Sequence, residues 1–476
     1  MKPGLRAGWL ICAYVLAFFI ACLASWIGRT FGNPTIAQAV FHVYYAETAA
    51  YNMGEVFIVT FLAEVVAAPL LLGGAVACLH LWAAKRLGGG ARRMLRALPT
   101  LALAGGMGLL LLQFSVFSYA AAHFGPDRFS VAYRDPGAVA LRDGRLRNLV
   151  LVYAESLETA YADPNLFGRD LLAPLKEVGG HSFRAYRQAP GTTWTIAAMV
   201  ATQCGVPLSV YTSEELRGSN RQRTFLPGAT CLGDVLQARG YRNVFLGGAP
   251  LSFAGKGTFL RDHGYAERYG KEEWVTAGAA GRELGGWGLH DDALLARARD
   301  KLTELHAAGQ PFNLTVLTLD THNPAGFMSP SCRHAGATDF PGIVACTSSQ
   351  LADFVRFARD RGYLDDTVIV IIGDHLAVGN PVQATLQQDP DRKLVNLFVG
   401  NGLPAAKRQE LLSFDLYPSL LELAGIEVLG GRLGLGVSAW SDLPASEVPQ
   451  GLETLQLPIL SASDTYMRLW RAPPEP

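Results

Sequence analysis

The sequence predicts an α/β protein in which N-terminal transmembrane helices precede a domain with a mostly parallel central sheet flanked by helices. Long apolar stretches are confined to the first quarter of the chain, and short apolar runs alternate with helical patterns from about residue 148. Hydrophobic residues make up 50% of the 476 residues and charged residues only 17%. The N-terminal stretches account for this apolar excess.

The apolar stretches cover residues 9–27, 56–82 and 98–122, and each reaches the ~20 residues that a helix needs to cross a bilayer. The first is too long for the apolar region of a typical signal peptide, and two more follow, so we expect three retained spans. Residues 1–125 are therefore predicted to form a membrane domain. Glu64 lies inside the second span, and pairing with another span or extension to the interface is favoured over a direct functional role.

The basic residues predict the orientation of these spans. Lys2 and Arg6 precede the first span, and Arg29 alone lies between the first and second. Five basic residues lie between the second and third: Lys85, Arg86, Arg92, Arg93 and Arg96. The positive-inside rule places the N-terminus and this second loop in the cytoplasm, and everything after about residue 123 outside. Acidic and basic residues balance at 41 each, which gives no support for nucleic-acid binding.

The cysteines fit this topology. Three lie in the apolar stretches (Cys12, Cys22 and Cys78), and the other four lie in the external part (Cys204, Cys231, Cys332 and Cys346). An even number of cysteines in an oxidising compartment predicts two disulfides, whereas a zinc site lacks the usual C-x-x-C spacing. Of the three possible pairings we favour Cys204–Cys231 and Cys332–Cys346, because each closes a short local loop.

The external part alternates strand-like and helix-like segments. We predict buried strands at residues 148–154, 243–246, 314–319, 367–372 and 395–399. Helices are predicted at residues 195–203, 232–239, 292–308, 348–361 and 414–424. This alternation indicates βαβ units and a mostly parallel sheet. We expect a linker at residues 126–147, a catalytic domain at 148–440 and a C-terminal tail at 441–476.

Polar residues follow three of the predicted strands. Glu155 comes after the first, the segment 320–322 (Asp-Thr-His) after the third, and Asp374 with His375 after the fourth. Ligands of such sheets bind beyond the carboxyl ends of the strands. A single Asp-His pair is weak evidence, since either residue could cap a helix, but several convergent polar ends indicate a site. Oxygen ligands with one imidazole suit Mn²⁺, Mg²⁺ or Zn²⁺.

A nucleophile is offered by the turn at Pro190 and Gly191, which precedes an apolar helix. A threonine there would lie at a helix N-terminus, where free N–H groups favour an anion. A metal-bound hydroxyl at this place could ionise and attack phosphorus. The alternative is ordinary N-capping by Thr192, Thr193 or Thr195, which the local sequence by itself favours.

Seven segments of the external domain occur in a characteristic order and spacing: LVYAESLE (151–158), PGTTWTIA (190–197), MVATQCGVPL (199–208), FAGK (253–256), WGLHDD (287–292), LDTHNP (319–324) and GDH (373–375). On these segments, the external domain resembles the alkaline phosphatase/sulfatase superfamily over roughly residues 148–430. Within it, the chain is similar to the phosphoglycerol transferase I family, which modifies periplasmic glucans, and more distantly to lipoteichoic acid synthase and to the phosphoethanolamine transferases of lipid A.

The resemblance implies a site built around one divalent metal ion, with Mn²⁺ the preferred candidate and Mg²⁺ or Zn²⁺ the alternatives. Its implied ligands are Glu155, Thr192, Asp374 and His375. Thr192 falls at the position of the family's nucleophile, with Thr193 as the alternative. Asp291 could touch the site, but helix capping is favoured for it.

The resemblance also implies two substrate-binding residues. His322 matches a catalytic histidine that contacts the head group or the leaving oxygen. Lys256 stands where the lipoteichoic acid synthases have an arginine, and Ala254 where they have a tryptophan, so the head-group pocket differs in detail. Lys256 suits a phosphate or hydroxyl and repels an ammonium, which favours a glycerol over an ethanolamine head group.

The implied activity is transfer of phosphoglycerol from phosphatidylglycerol, a membrane lipid, to a periplasmic glucan through a phosphothreonine. The protein is then expected in the bacterial inner membrane with its catalytic domain in the periplasm. Three alternatives remain open: phosphoethanolamine transfer to lipid A or a glycan, hydrolysis of a lipid head group, and a lipid-binding or signalling domain with an inactive phosphatase fold. All four metal-ligand positions are filled, which argues against the last.

Overall fold

A computed structural model describes residues 3–31, 55–114, 127–209, 224–443 and 463–471. Its N-terminal part contains three helices long and apolar enough to cross a membrane. The second is interrupted by a π-helical turn at Leu62–Ala67. The helices are α1 (Pro3–Phe31), α2 (Glu55–Phe61), α3 (Ala68–Arg86) and α4 (Gly89–Gln113).

Glycines allow these helices to pack closely. A Cβ atom at Gly73 of α3 would lie 2.6 Å from the Cα atom of Val15 in α1, and one at Gly106 of α4 would lie 2.8 Å from the carbonyl oxygen of Ala17. Such close approach of backbones is typical of membrane helices. Glu64 in the π-helical turn forms an ion pair with Arg29 of α1, as the pairing interpretation predicts.

The third span differs from the prediction in its bounds. Helix α4 begins at Gly89, although the sequence placed its start at residue 98, and residues 115–122 lie outside the described part of the chain. Four good helix-forming residues, Arg92, Arg93, Met94 and Leu95, continue the helix into the polar region before the apolar run. Hydropathy alone cannot detect this extension.

The central sheet has six strands in the order β5-β4-β6-β2-β7-β8. All neighbours are parallel except β7 and β8, which confirms a mostly parallel sheet. The sequence predicted every one of these strands except the short β5. Three two-stranded pairs complete the strands: β1 with β10, β3 with β9, and β11 with β12. The strands are β1 (Leu141–Asp143), β2 (Asn148–Ala154), β3 (Ala185–Arg187), β4 (Arg242–Gly247), β5 (Glu267–Tyr269), β6 (Phe312–Leu317), β7 (Thr367–Gly373), β8 (Asn396–Val399), β9 (Glu410–Leu412), β10 (Ile426–Val428), β11 (Arg432–Leu433) and β12 (Gly436–Val437).

Helices cover both faces of this sheet, so its strands are apolar on both sides. In β2, Leu149 and Leu151 belong to one buried core, and Val150 and Val152 to the other. The helices outside the membrane part are α5 (Arg128–Ala132), α6 (Pro164–Phe167), α7 (Ala173–Glu177), α8 (Thr195–Cys204), α9 (Leu232–Gln237), α10 (Lys256–Asp262), α11 (Lys271–Thr276), α12 (Asp291–Ala308), α13 (Pro330–His334), α14 (Phe340–Asp360), α15 (Gln383–Leu386), α16 (Leu416–Leu423) and α17 (Asp464–Leu469).

Helix α14 is longer than the sequence predicted, since it begins at Phe340 and not near residue 348. The Asp339 side chain accepts a hydrogen bond from the Gly342 N–H, and Pro341 occupies the second helical position. An acidic N-cap followed by proline is a recognised helix start. The prediction overlooked it because the following residues are small and mixed in polarity.

Parts of the expected linker and tail are folded against the domain. In the segment 126–147, Phe129 of α5 is fully buried and β1 pairs with β10. The ring of Phe129 lies 5.2 Å from that of Tyr466 in α17, which belongs to the expected tail. These residues thus extend the domain core beyond residues 148–440.

Both predicted disulfides are present in the structure. Cys204 at the end of α8 is bonded to Cys231 next to α9, and Cys332 in α13 is bonded to Cys346 in α14. The first ties two helices on one face of the sheet. The second holds α14 to the segment that follows β6.

Candidate active site

Three buried ligand groups meet at the carboxyl edge of the central sheet. The side chains of Glu155, Asp374 and His375 offer atoms that all lie within 4.8 Å of one another. The Nε2 atom of His375 is 3.5 Å from a carboxylate oxygen of Glu155 and 3.5 Å from one of Asp374. Strands β2 and β7 bring them together, because the parallel register pairs Ala154 with Gly373, the residues just before them.

The hydrogen bonds around this cluster leave atoms available to a cation. His375 donates its Nδ1–H to the Leu376 carbonyl over 3.0 Å, which leaves the Nε2 lone pair facing the carboxylates. Asp374 Oδ1 accepts from the backbone N–H groups of Ser156 and His375, whereas Oδ2 is buried with no hydrogen-bond partner among the described residues. These three groups therefore fit a divalent metal ion.

The charges of the cluster also favour the binding of a divalent cation. Burial, together with the Glu155 charge, raises the pKa of Asp374 to about 6. Burial disfavours the charged form of His375, but the charges of Asp374 and Glu155 outweigh it and raise the pKa of the imidazole. Two carboxylates in a desolvated site are costly without a compensating positive charge. A divalent cation would supply that charge in place of a proton.

Thr192 lies in a turn whose flanking residues contact Glu155 of the cluster and Leu376, the residue after His375. The side-chain oxygen of Gln188 accepts a hydrogen bond from the Leu376 N–H over 2.9 Å, and the Thr195 hydroxyl is 3.4 Å from Glu155 Oε2. Gly191 has a φ of 76°, which suits glycine and reverses the chain between these contacts. Thr192 itself is buried, and its hydroxyl donates to the Ala189 carbonyl over 2.6 Å.

The contacts of Thr192 and Thr195 disagree with the capping alternative. Helix α8 is preceded by Trp194, whose side chain makes no capping hydrogen bond. The Thr192 hydroxyl is bonded within its own turn, and the Thr195 hydroxyl, at the first helical position, points to Glu155. Neither threonine has the N-cap role in the structure.

Lys256 begins α10 and is only 4% exposed. Burial lowers the pKa of its ammonium to about 8, against the opposing influence of Glu155 and Glu272. Its Nζ atom lies 5.9 Å from the centre of the Phe245 ring, and no hydrogen bond or ion pair joins it to a described residue. A largely desolvated cation without a carboxylate partner is suited to bind an anionic substrate.

His322 lies on the loop after β6, within electrostatic range of the cluster. Desolvation lowers its pKa to about 4, and the charges of His375 and Lys256 contribute in the same direction. Its Nδ1–H donates to the Asn323 carbonyl over 2.7 Å, and the Trp287 ring lies 4.4 Å away, centre to centre. The imidazole is therefore neutral near pH 7, with Nε2 as its basic nitrogen.

Two supporting carboxylates fix the loop that carries His322. Asp291 accepts hydrogen bonds from the backbone N–H groups of Leu319 and Asp320 over 2.6 and 3.1 Å. Asp320 in turn accepts from Nδ1 of His290 over 2.7 Å. Asp320 thus follows its strand as expected but does not join the ligand cluster, and Asp291 braces a loop instead of capping its helix.

Sequence reasoning gave no role to the ion pair that ties the loops below the cluster. The fully buried Glu158 accepts two hydrogen bonds from Arg392, each 2.7 Å long, and Arg392 also donates to the Ala377 carbonyl. Arg392 is thereby linked to both loops that carry metal-ligand candidates. No local signal connects two residues so far apart in the chain, although Glu158 belongs to a recognised motif.

A second group of ligand-type residues does not form a metal site. Cys231, Asp234 and His263 lie close together, but the Cys231 sulfur is bonded to Cys204. Asp234 accepts from the Cys231 N–H and pairs with His263. Through these contacts, Cys231, Asp234 and His263 support the start of α9.

The family model described as Sulfatase matches residues 147–426, more than half of the chain. The chain belongs to the sulfatase family. Members of this superfamily use a divalent metal ion, in agreement with the ligand cluster of this sulfatase-family chain.

Curated relatives of this sulfatase-family protein include phosphoglycerol transferases. It is 36% identical over 362 residues to phosphoglycerol transferase I of Escherichia coli O6:K15:H31 (strain 536 / UPEC), which covers 74% of this chain and 46% of the relative. The relative from strain K12 / MC4100 / BW2952 gives the same values. The chain thus spans about half the length of these relatives.

Two solved structures share the fold of this sulfatase-family chain. An alkaline phosphatase superfamily protein from Vibrio parahaemolyticus has a TM-score of 0.52 at 21% identity, covering 70% of this chain and 79% of that protein. The lipoteichoic acid synthase LtaP from Listeria monocytogenes has a TM-score of 0.50 at 17% identity, covering 66% and 78%. Together with the family match, they confirm the predicted fold class.

Proposed function

We propose that this protein transfers a phosphoglycerol group from phosphatidylglycerol to a periplasmic glucan, through a covalent bond to Thr192. The observation that carries the proposal is that the residues on either side of Thr192 contact Glu155 of the ligand cluster and Leu376, which follows the ligand candidate His375. The 36% identity to phosphoglycerol transferase I supports the choice of the transferred group.

In the first half-reaction, the Thr192 oxygen attacks the phosphorus of the lipid. The new bond joins Thr192 Oγ1 to phosphorus, and the bond from phosphorus to the diacylglycerol oxygen breaks. The proton of the threonine hydroxyl ends on that diacylglycerol oxygen, and the neutral His322 Nε2 can carry it. Lys256 binds a non-bridging phosphate oxygen and repels an ammonium, which favours glycerol over ethanolamine.

In the second half-reaction, a sugar hydroxyl replaces the threonine. Its oxygen forms a bond to phosphorus, the bond to Thr192 Oγ1 breaks, and the threonine recovers a proton. His322 Nε2 accepts the proton of the incoming hydroxyl, since the Asn323 carbonyl holds the other ring nitrogen as a donor. The products are the phosphoglycerol-substituted glucan and the free enzyme.

One divalent ion, held by Glu155, Asp374, His375 and the Thr192 oxygen, would lower the pKa of the threonine hydroxyl and neutralise phosphate charge. Mn²⁺ is our preferred ion, with Mg²⁺ or Zn²⁺ as alternatives. We further propose that the protein lies in the inner membrane with its catalytic domain, residues 148–440 extended by parts of the flanking segments, in the periplasm. At this location the site would lie beside its lipid donor.

The test supplies phosphatidylglycerol labelled in the head-group glycerol, phosphatidylethanolamine labelled in the ethanolamine, and a β-glucan to the purified full chain with Mn²⁺. We expect label to move from phosphatidylglycerol to the glucan. Without the glucan, mass spectrometry should find a phosphoglyceryl group on Thr192. The Thr192→Ala variant should lose at least about a thousandfold in rate, since the nucleophile is removed.

The matched control is Thr193→Ala, which removes the neighbouring hydroxyl and leaves Thr192 in place. We expect this variant to retain most of its transfer activity. Label that moves only from phosphatidylethanolamine, or reaches lipid A and never the glucan, would contradict the proposed substrates. Near-normal transfer by Thr192→Ala would exclude Thr192 as the nucleophile.

A further inference from the structure

The outer end of α1 contacts the two loops that flank the candidate active site. The Asn323 side-chain amide donates to the Thr30 carbonyl over 3.4 Å. At Gly379, an added Cβ atom would lie 2.7 Å from the same Thr30 oxygen and 3.2 Å from the Arg29 oxygen. Asn323 follows His322, and Gly379 lies four residues after His375. The membrane helix therefore ends directly against the catalytic loops.

The chemistry of a helix end explains these contacts. The last four carbonyl groups of a helix have no partner within the helix, and those of Arg29 and Thr30 belong to this group in α1, which ends at Phe31. Asn323 supplies a donor to one of them. Gly379, with a φ of 63°, lets the backbone approach where any side chain would collide. The two loops thus form a complementary surface for the end of α1.

Further contacts fix the end of α1 to its neighbours on both sides. Arg29 forms an ion pair with Glu64 in the π-helical turn of the second span, so the end of α1 is also held within the membrane part. On the other side, Asn323 uses its carbonyl to orient His322 and its amide to bind Thr30. One chain of contacts therefore runs from the second span through α1 to the histidine of the site.

We propose that this docking of α1 sets the height of the catalytic site above the bilayer, and that Gly379 is a positioning residue for the membrane-embedded donor. The inference rests on the proposed function, because it requires the donor to be a lipid. A site held at the level of the head groups reaches a phosphodiester that cannot leave the membrane. A water-soluble donor needs no such alignment, since it diffuses to the site from solution.

The test compares two donors in the full chain: phosphatidylglycerol in phosphatidylcholine vesicles, and p-nitrophenyl phosphoglycerol in solution. Gly379→Ala adds one methyl group that collides with the Thr30 backbone carbonyl. The Asn323 side-chain amide, 3.2 Å from the added atom, can shift without moving the Asn323 backbone carbonyl that binds His322. We expect kcat/KM for the vesicle donor to fall by about tenfold, because the site is modestly misaligned with the lipid head groups. Release of p-nitrophenol should stay within about twofold of that of the unmodified protein. Unchanged release of p-nitrophenol also shows that the variant is folded.

The matched control is Gly309→Ala. Gly309 has a φ of 68°, so alanine is strained there as at Gly379, but no atom lies within 4 Å of the added methyl group. This variant should use both donors as the unmodified protein does. An equal loss with both donors, or no loss with either, in Gly379→Ala would overturn the inference. If the unmodified protein used neither donor, the proposed function itself would fail.

Discussion

At the scale of single residues, burial and hydrogen-bond partners decide which side chains take part in the chemistry of the site. Glu158 and Glu155 belong to one motif and both are buried, but Glu158 is neutralised by two hydrogen bonds from Arg392. Glu155 instead faces another carboxylate and an imidazole. A carboxylate with a dedicated arginine supports structure, whereas one that shares a site with a second carboxylate calls for a cation.

Lys256 offers a residue-scale prediction. Lys256→Met keeps the length and apolar stem of the side chain but removes the cation that we expect to bind a phosphate oxygen. Phosphoglycerol transfer should fall by about a hundredfold in kcat/KM, typical of losing one donor to a charged transition state. The measurement is steady-state transfer from labelled phosphatidylglycerol.

The control for this prediction is Lys256→Arg, which keeps the positive charge and reproduces the residue of the lipoteichoic acid synthases. It should retain more activity than Lys256→Met, although the larger guanidinium must fit a buried place. Equal activity of the unmodified protein and Lys256→Met would show that this lysine does not bind the substrate.

At the scale of elements, register between strands builds the site. The parallel pairing of β2 and β7 puts Ala154 opposite Gly373, so the residues that follow meet at one edge. The sequence predicted both strands and both polar ends. It could not predict that these two strands are neighbours, because the order of strands in a sheet does not follow their order in the chain. In the structure β6 and β7 lie on either side of β2, and β4 lies one strand further away.

The disulfide Cys332–Cys346 leads to a prediction at this scale. It joins α13 to the long α14, and its two cysteines are 14 residues apart in the sequence. Helix α13 begins eight residues after His322. Replacing both cysteines by serine should lower the free energy of unfolding by ~3 kcal/mol, because a short closed loop is opened in the unfolded chain. Thermal unfolding of the detergent-solubilised protein, followed by tryptophan fluorescence, measures this loss.

Cys12→Ser is the control for the disulfide variant. Cys12 is a free, exposed cysteine of α1, so its replacement should leave the unfolding temperature unchanged. An unfolding temperature of the double variant equal to that of the control would mean that this disulfide adds no stability.

At the scale of the whole molecule, the end of α1 and the catalytic loops lie on the same side of the membrane part. The distribution of basic residues independently predicts that the start of α1 lies in the cytoplasm. We therefore predict that an N-terminal epitope tag is protected from proteinase K in spheroplasts, whereas the catalytic domain is digested. Digestion of the tag in intact spheroplasts would reverse the proposed orientation.

The sequence by itself determined the main architecture of this protein. Hydropathy and length separate the three spans from the α/β part, because a bilayer requires long continuous apolar helices. Alternation of apolar runs and helical patterns predicted five of the six strands of the central sheet, and the even number of external cysteines predicted two disulfides. These features depend on local composition, which a linear sequence contains in full.

Only the tertiary structure decided how distant segments meet. In the folded chain, Glu155 lies close to Asp374 and His375, and Glu158 forms an ion pair with Arg392. Asp320 binds His290 and lies outside the ligand cluster. The end of α1 also contacts Asn323 and Gly379, and no hydrophobic pattern in the sequence indicates this contact. Such contacts join residues hundreds of positions apart, and they arise from strand order and close packing, which depend on the whole folded chain.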